Sequence, residues 1–385
     1  MSIYKSNMEE EYTFLKEQIN QLIYDFPHYI TEPDFEIKLF NYIKIISMDF
    51  IHEERLNYLY EHEVPKILKE LGLERTTHFD EKPSEVSKEY IEYLKNIKQP
   101  QQRTTQWYDF RNNHITASNA WKAYSTSEAT RNQLIYEKIK PYVQHNSSSL
   151  SENAFTWGHK YEPLTSKIYE KRNETIISEF GCIEHPKYNF LAASPDGIVT
   201  SDKYFGRMIE IKNVVSRVIN GKPKKEYYIQ MQLQMEVCDL NECDFVETKF
   251  IEYQSLEEYM NDGHINYNDE HKEKGIIKVY VKNNEEYIYD YMPFEIMDVS
   301  SMELWLDEPK EDLQWIKNVY WKLDVYSCVQ VPRCKLWFER TLNELENIWN
   351  IIIKERETNN HEAYKPKKRK KEEIIHKEEK CLINL

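Results

Sequence analysis

Apolar residues recur at spacings of three and four through residues 12–24, 40–50 and 64–71, the stripe that an amphipathic helix turns toward a core. The first 95 or so positions therefore predict a helical region, and a polar link over residues 96–106 closes it. Tyr161, Leu164, Thr165 and Ile168 mark the buried face of a helix over about 159–172, after a Ser-rich loop over 144–151. Phe190 to Ala193 reads as a strand that Pro195 and Gly197 end or bend. Arg207 to Lys212 alternates with a period of two, so Ile209 and Ile211 share one face and Glu210 and Lys212 the other. Gln230, Gln232 and Gln234 alternate with Met231, Leu233 and Met235, a pattern open to helix or strand. On a helix, Gln230 and Gln234 share a face that Gln232 does not. Strands are predicted at Phe245–Tyr253, Ile276–Val281 and Tyr287–Met292. After Pro309 the pattern predicts helix to about Glu355, with Trp315, Tyr320, Trp321, Trp337 and Trp349 packing it; stacking on bases is the other use of such rings.

These shifts divide the chain into a helical accessory region over 1–95, a central region with added strands over 96–300, helices over 301–357, and a basic tail over 358–385. Candidate chemistry lies in the central region. Glu210 and Lys212 stand about 6.5 to 7 Å apart on one strand face, so an acid and an amine address the same phosphate. Asp196, in Ser194-Pro195-Asp196-Gly197, is delivered at a strand end. Hard divalent cations take oxygen ligands, and magnesium uses only one or two carboxylates, a need that Asp196 and Glu210 meet. Each string alone has an ordinary reading as a turn or a chance acid-x-Lys triplet. Their order, spacing and strand context raise the chemical reading. Five of the eight glycines (158, 181, 197, 206 and 221) fall in the same stretch, where turns and close backbone approach are concentrated.

Glu162 is expected in the first turn of its helix, just before Pro163, where the helix dipole alone would also favour an acid. Arg111 presents a planar fork of donors suited to phosphate oxygens. Thr116 and Ser118 stand where a helix could begin, either as caps or as part of an anion site.

Taken in order, Arg111 with Thr116 and Ser118, Gly158-x3-Glu162-Pro163, Ser194 to Gly197, Glu210-Ile211-Lys212 and Tyr227 to Gln232 resemble the PD-(D/E)xK nuclease superfamily, and within it the lambda exonuclease or YqaJ-type viral recombinase family. The resemblance runs over about residues 103–253. It implies a mixed α/β (α+β) fold, a restriction-endonuclease-like central mixed sheet flanked by helices, with helical regions at both ends. It further implies that Asp196 and Glu210 bind metal, supported by Glu162 from a helix, that Lys212 is catalytic, and that Gln232 sits beside the lysine. Arg111 and Ser118 would hold the terminal 5′ phosphate of the strand being degraded. The implied cofactor is Mg²⁺, with Mn²⁺ as a substitute. The implied activity is 5′ to 3′ digestion of duplex DNA ends in recombination, repair or replication, with rings of identical subunits and a single-strand annealing partner known in the family. Restriction-type endonucleases share the acid-acid-lysine core, and a non-catalytic end-binding or scaffold protein would share the fold; the retained Asp196, Glu210 and Lys212 argue against the latter.

The formal net charge of −15 runs against a DNA partner, since phosphate contacts call for Lys and Arg. The expectation is local: an acidic exterior, with Arg111, Lys212 and the basic loop through Lys222, Lys224 and Lys225 at the cleft. Six cysteines without a CxxC pair exclude a zinc-ribbon pattern and predict free thiols. With no signal peptide and no apolar run long enough to span a bilayer, the reading is an intracellular protein of a reducing compartment with no membrane partner. The run Lys365 to Lys371 is either a nuclear address or a DNA tether, which leaves cytoplasm, viral factory and nucleus open.

Overall fold

The computed structural model describes residues 2–77, 85–102, 104–140, 154–282 and 286–366. Most of the Lys365 to Lys371 run and the loop over 144–151 lie outside the described residues. Helices α1 (Ser2–Asp25), α2 (Phe35–Ser47), α3 (Glu53–His62), α4 (Val64–Leu71) and α5 (Lys88–Asn96) form the first region, helical as expected. Gly72, at φ +63°, closes α4 in the left-handed conformation that a side chain disfavours, and Ser87 caps α5 by accepting from Tyr90 N–H. Leu15, Ile19, Phe35, Leu39 and Ile43 are fully buried, in one core with Leu134, Met231 and Trp337 of later elements. The seam is polar as well as apolar. Buried Arg75 donates to Ile30 O and Thr31 O at 3.2 and 3.3 Å and to Pro223 O, over the Tyr228 ring.

The central elements follow as α6 (Thr105–Asn112), β1 (Ile115–Thr116), α7 (Ala117–Ala120), α8 (Glu128–Ile139), α9 (Ala154–Asn173), β2 (Ile177–Ser178), β3 (Ile183–Glu184), β4 (Leu191–Ala193), β5 (Gly197–Val199) and β6 (Met208–Asn213). Then come α10 (Lys225–Cys238), β7 (Glu242–Glu252), α11 (Leu256–Asn261), β8 (Lys274–Lys282), β9 (Glu286–Tyr291), α12 (Val299–Asp307), β10 (Gln314–Pro332) and α13 (Lys335–Thr358). A seven-stranded mixed sheet has the order β2-β5-β6-β7-β10-β8-β9, and a small sheet the order β1-β4-β3. Within the large sheet β6 and β7 are parallel, joined by the crossover helix α10, as parallel neighbours require. Ile209 and Ile211 pack with Tyr169 of α9 on one face of that sheet, which leaves Glu210 facing α10.

The expected strands near 245–253, 276–281 and 287–292 appear as β7, β8 and β9, and they extend the same sheet. The expected helix after Pro309 does not form: Gln314–Pro332 is a 19-residue strand paired to β7 on one side and β8 on the other. Its true period is two. Val319, Trp321 and Leu323 are buried in alternation, and the β-branched residues suit a pleated surface better than a helix. Helix resumes only at Lys335, so the 301–357 region is not wholly helical. Likewise α9 begins at Ala154, which puts Glu162 and Pro163 inside the helix and not in its first turn. Among the described residues no helix is long and apolar enough to cross a membrane.

Beneath the large sheet lies a fully buried polar group. Tyr169 donates to Asp244 at 2.6 Å, and Arg207 stands 3.6 Å away. Burial pushes the Asp244 carboxyl up to about 6, against the opposing pull of Arg207 and Tyr169. A carboxyl raised in the folded state contributes stability that is present below its ordinary value and lost as pH rises through about 6. Wild type should therefore lose more thermal stability between pH 5 and pH 7 than Asp244→Asn, a comparison of melting temperatures across that window.

Candidate active site

Strand β4 ends in the small sheet and β5 begins in the large one, and Ser194-Pro195-Asp196 bridges them. Gly197 permits the crossing, since a Cβ there would lie 2.2 Å from Ile177 Cγ2. Asp196 is then fixed against β6, where its Oδ2 accepts from Ile211 N–H at 2.7 Å. On that strand Glu210, with no exposed surface, accepts from the Lys212 amine on Oε1 and from Gln234 Nε2 at 2.7 Å on Oε2. Gln234 also reaches Ser194 O at 3.3 Å, so one amide on α10 ties the two strings together. The predicted convergence of Asp196, Glu210 and Lys212 is present.

Glu162 projects from α9 between two openings. One, of about 510 Å³, is lined by Gly158, His159, Lys212, Arg217, Lys224 and Tyr227; the other, of about 360 Å³, by Gln102, Pro163, Glu179, Gly181 and Asp196. The charges are frustrated. Burial, then Glu210, then Glu162 push the Asp196 carboxyl well above its ordinary range. Burial alone would push the Lys212 amine down, but Glu210 and Asp196 outweigh it and hold the amine above its ordinary range. Among the described residues no three His, Cys, Asp or Glu side chains close on a point tightly enough to grip an ion unaided. The oxygen-only donor set of Asp196, Glu210 and Glu162, with the repulsion at Asp196 only partly offset by Lys212, fits a hard divalent cation that keeps water and phosphate among its ligands.

Arg111 and Ser118 are brought together as predicted, with guanidinium Nη2 donating to Ser118 Oγ at 2.9 Å. Trp107, one turn earlier on α6, lies 4.4 Å beneath the guanidinium, and its Nε1 donates to Ser194 Oγ at 3.5 Å. The arginine is therefore coupled to the Asp196 loop through one indole. Thr116 is buried at the N-cap of α7, its N–H bonded to Asn119 Oδ1 at 3.0 Å, which is a capping position.

Three expectations change. Gln232 does not face the lysine: its amide donates to Pro332 O at 2.8 Å and accepts from Cys334 N–H at 2.7 Å, clamping the β10–α13 junction. With α10 a helix, residues 232 and 234 point about 200° apart, and Gln234 takes the site position. Lys225 pairs with Glu32 at 2.7 Å and Lys222 with Glu36 at 3.6 Å, so that part of the basic loop holds the N-terminal region, while Lys224 does border the cleft. Two neighbours were not predicted. Arg217, paired with Glu247 beside the Tyr227 ring, enters from the loop after β6. Buried Lys138 donates to Arg111 O at 2.6 Å and is pushed down to about 7, first by burial and then by Arg111. Its signal was a lysine in phase with Leu134 and Ile135 on the buried face of α8.

Gln232→Ala should lower the unfolding free energy by about 1–3 kcal/mol, the cost of orphaned buried partners, in denaturant titration. Gln234→Ala should mainly alter the function of the site. Asp196→Asn keeps an acceptor for Ile211 N–H and removes a disfavoured charge. It should raise the melting temperature in EDTA at pH 8, and that gain should shrink as pH falls and the wild-type carboxyl takes up its proton.

Residues 106–241 match the YqaJ-like viral recombinase domain. Uncharacterized protein R354 of Acanthamoeba polyphaga mimivirus is 27% identical over 331 residues, covering 72% of this chain and 58% of that protein. The chain thus spans somewhat more than half the length of this relative. An alkaline exonuclease from Laribacter hongkongensis aligns at 22% identity with TM-score 0.39, over 68% of this chain and 98% of its own. A phage related exonuclease from Haemophilus somnus 129PT aligns at 14% identity with TM-score 0.35, over 63% and 94%. The matched stretch includes Arg111, Ser118, Glu162, Asp196, Glu210, Lys212 and Gln234.

Proposed function

We propose that the protein is a magnesium-dependent exonuclease that degrades duplex DNA from 5′ ends. The observation that carries this reading is the convergence of half-buried Asp196 and Lys212 on buried Glu210, bridged by Gln234, with an arginine and a serine one indole away. Asp196 and Glu210 would hold the ion, with Glu162 beside them. When bound, magnesium supplies a water of lowered pKa and stabilises charge on the scissile phosphate. Gln234 fixes Glu210 in orientation, so that one of its oxygens is always committed to the amide. Lys212, beside Glu210 on the same strand face, would address the phosphate and the attacking water. Water adds to phosphorus, the bond from phosphorus to the 3′ oxygen breaks, and the leaving oxygen takes up a proton. The shortened strand then begins with a new 5′ phosphate. Arg111 and Ser118 would receive that group each time, a role supported by the guanidinium lying over the Trp107 face and bonded to Ser118 Oγ.

The test is digestion of linear duplex DNA, 5′-phosphorylated and labelled at either end, beside a closed circle, in Mg²⁺ or EDTA. Metal-dependent loss from 5′ ends with circles spared is expected, together with a drop of at least about 100-fold in Glu210→Ala, the scale of losing one electrostatic catalyst. Arg111→Ala should lose the preference for 5′-phosphorylated over 5′-hydroxyl ends. Nicked circles would make the protein an endonuclease, and binding without cleavage a scaffold.

A further inference from the structure

Arg111 stands in the last turn of α6, where a helix presents free carbonyl oxygens and the negative end of its dipole. An anion held there by the guanidinium would meet that negative end unless cations cover the carbonyls. They are covered one by one. His114 Nδ1 donates to Phe110 O at 2.6 Å, Lys138 Nζ of α8 to Arg111 O at 2.6 Å, and Arg356 Nη2 of α13 to Asn112 O at 2.7 Å. Three consecutive carbonyls thus each take a basic side chain, and two of those side chains come from other helices.

These two are not spent on acids. Lys138 is buried and Arg356 half-buried, and neither forms an ion pair among the described residues. Glu137, next to Lys138 in sequence, is turned to Lys122 at 2.7 Å. Arg356 meets only amide oxygens: Lys138 O at 2.8 and 3.0 Å, Asn113 Oδ1 at 3.1 Å, and Asn112 O. It therefore fastens the end of α8 to the end of α6. His114, by contrast, has Glu184 at 3.0 Å from its other nitrogen. A buried ammonium with no carboxylate partner is costly, and the guanidinium groups of Arg111 and Arg356 add repulsion. Such a cluster is one anion short.

We propose that Lys138 and Arg356 are positioning residues for a terminal phosphate at Arg111: they fix the end of α6 and reverse its negative end, so that a phosphorylated end is favoured over a hydroxyl one. The proposal rests on the reading of Arg111 and Ser118 as the 5′-phosphate site. Arg356 lies beyond residues 106–241, which makes the C-terminal helix part of the support for a site in the matched stretch.

The experiment measures the affinity of the full chain for labelled blunt duplexes that differ only in a 5′-phosphate or a 5′-hydroxyl, in EDTA so that nothing is cut, at pH 6.5 and 8.5. Lys138→Met keeps the buried stem and removes the charge and the donor. At pH 6.5 it should lower the preference for phosphate about tenfold, the scale of one charge near a bound anion, with the loss on the phosphorylated duplex. The Lys138 amine is pushed down to about 7, first by burial and then by Arg111, with Arg356 adding to this and Glu137 and Cys182 opposing it. Wild type therefore carries most of the charge at pH 6.5 and little at pH 8.5, and the gap to Lys138→Met should narrow at the higher pH. The phosphate's own titration, with a second pKa of about 6, is common to both proteins and cancels in that gap. Arg356→Gln, at a less buried position, should also lower the preference, by a similar factor at both pH values. Equal loss on both duplexes, or an unchanged preference in both variants, would overturn the proposal. A wild type without any preference, matched by Arg111→Ala, would instead remove the phosphate-site reading beneath it. If wild type prefers phosphate through these residues yet cuts nothing in Mg²⁺, the proposal stands and the nuclease reading falls.

Discussion

Two carboxylates, Glu210 buried and Asp196 half-buried, held together by backbone geometry set the terms for the rest of the domain. Glu210 has no exposed surface, Asp196 is raised by burial and by its neighbours, and Lys212 offsets only part of the excess. Such a grouping disfavours folding and persists only where the surroundings over-determine it. Here they do. A strand backbone amide holds Asp196, a helix amide holds Glu210, and the same helix amide touches Ser194 O. The parallel β6–β7 pair behind them is packed on one face by α9 and on the other by α10, so neither strand can shift to relieve the repulsion.

The legible parts of this arrangement were those with a short period and a strong sign. Arg207 to Lys212 could be assigned to two faces because alternation in a strand is unambiguous once one face is apolar, and Pro195 and Gly197 mark a break that Gly197 needs sterically. The glutamines were half legible. Helical phase separates Gln232 from Gln234, yet choosing between them takes knowledge of which side of α10 meets β6, a tertiary fact. The Gln314–Pro332 strand was missed for a related reason. The aromatics Trp315, Tyr320 and Trp321 were read as packing for a helix, and the competing alternation of Val319, Trp321 and Leu323 shows only when the strand has partners on both sides. Lys138 was passed over because an amine on a buried helix face becomes informative only when its partner, the carbonyl of Arg111, is known.

Net charge is a whole-molecule quantity, and this chain separates it in space. Acidic residues of the N-terminal helices take up Lys222 and Lys225, so part of the basic loop is spent on joining the accessory region to the core. What stays at the cleft is Lys212, Lys224 and Arg217, grouped about Tyr227, with Arg111 on the other side of Asp196. Under the proposed function, a negative exterior would repel DNA except where this positive lining faces it, which would sharpen entry more than a uniformly basic surface.

Helix α9 links these features. Its apolar face, Tyr161, Leu164 and Ile168, packs on Phe250 and Trp321 of the long strands, which fixes its height above the sheet. With that face committed, the remaining two have set directions: Glu162 toward Asp196, and His159, Lys167 and Lys171 toward the β9 tyrosines. Pro163 sits at the boundary between them, where its missing N–H relaxes the helix without breaking it. The added strands β8 to β10 therefore do more than enlarge the sheet. By supplying the surface on which α9 rests, they determine where its acid points, so the same packing contact positions the cleft.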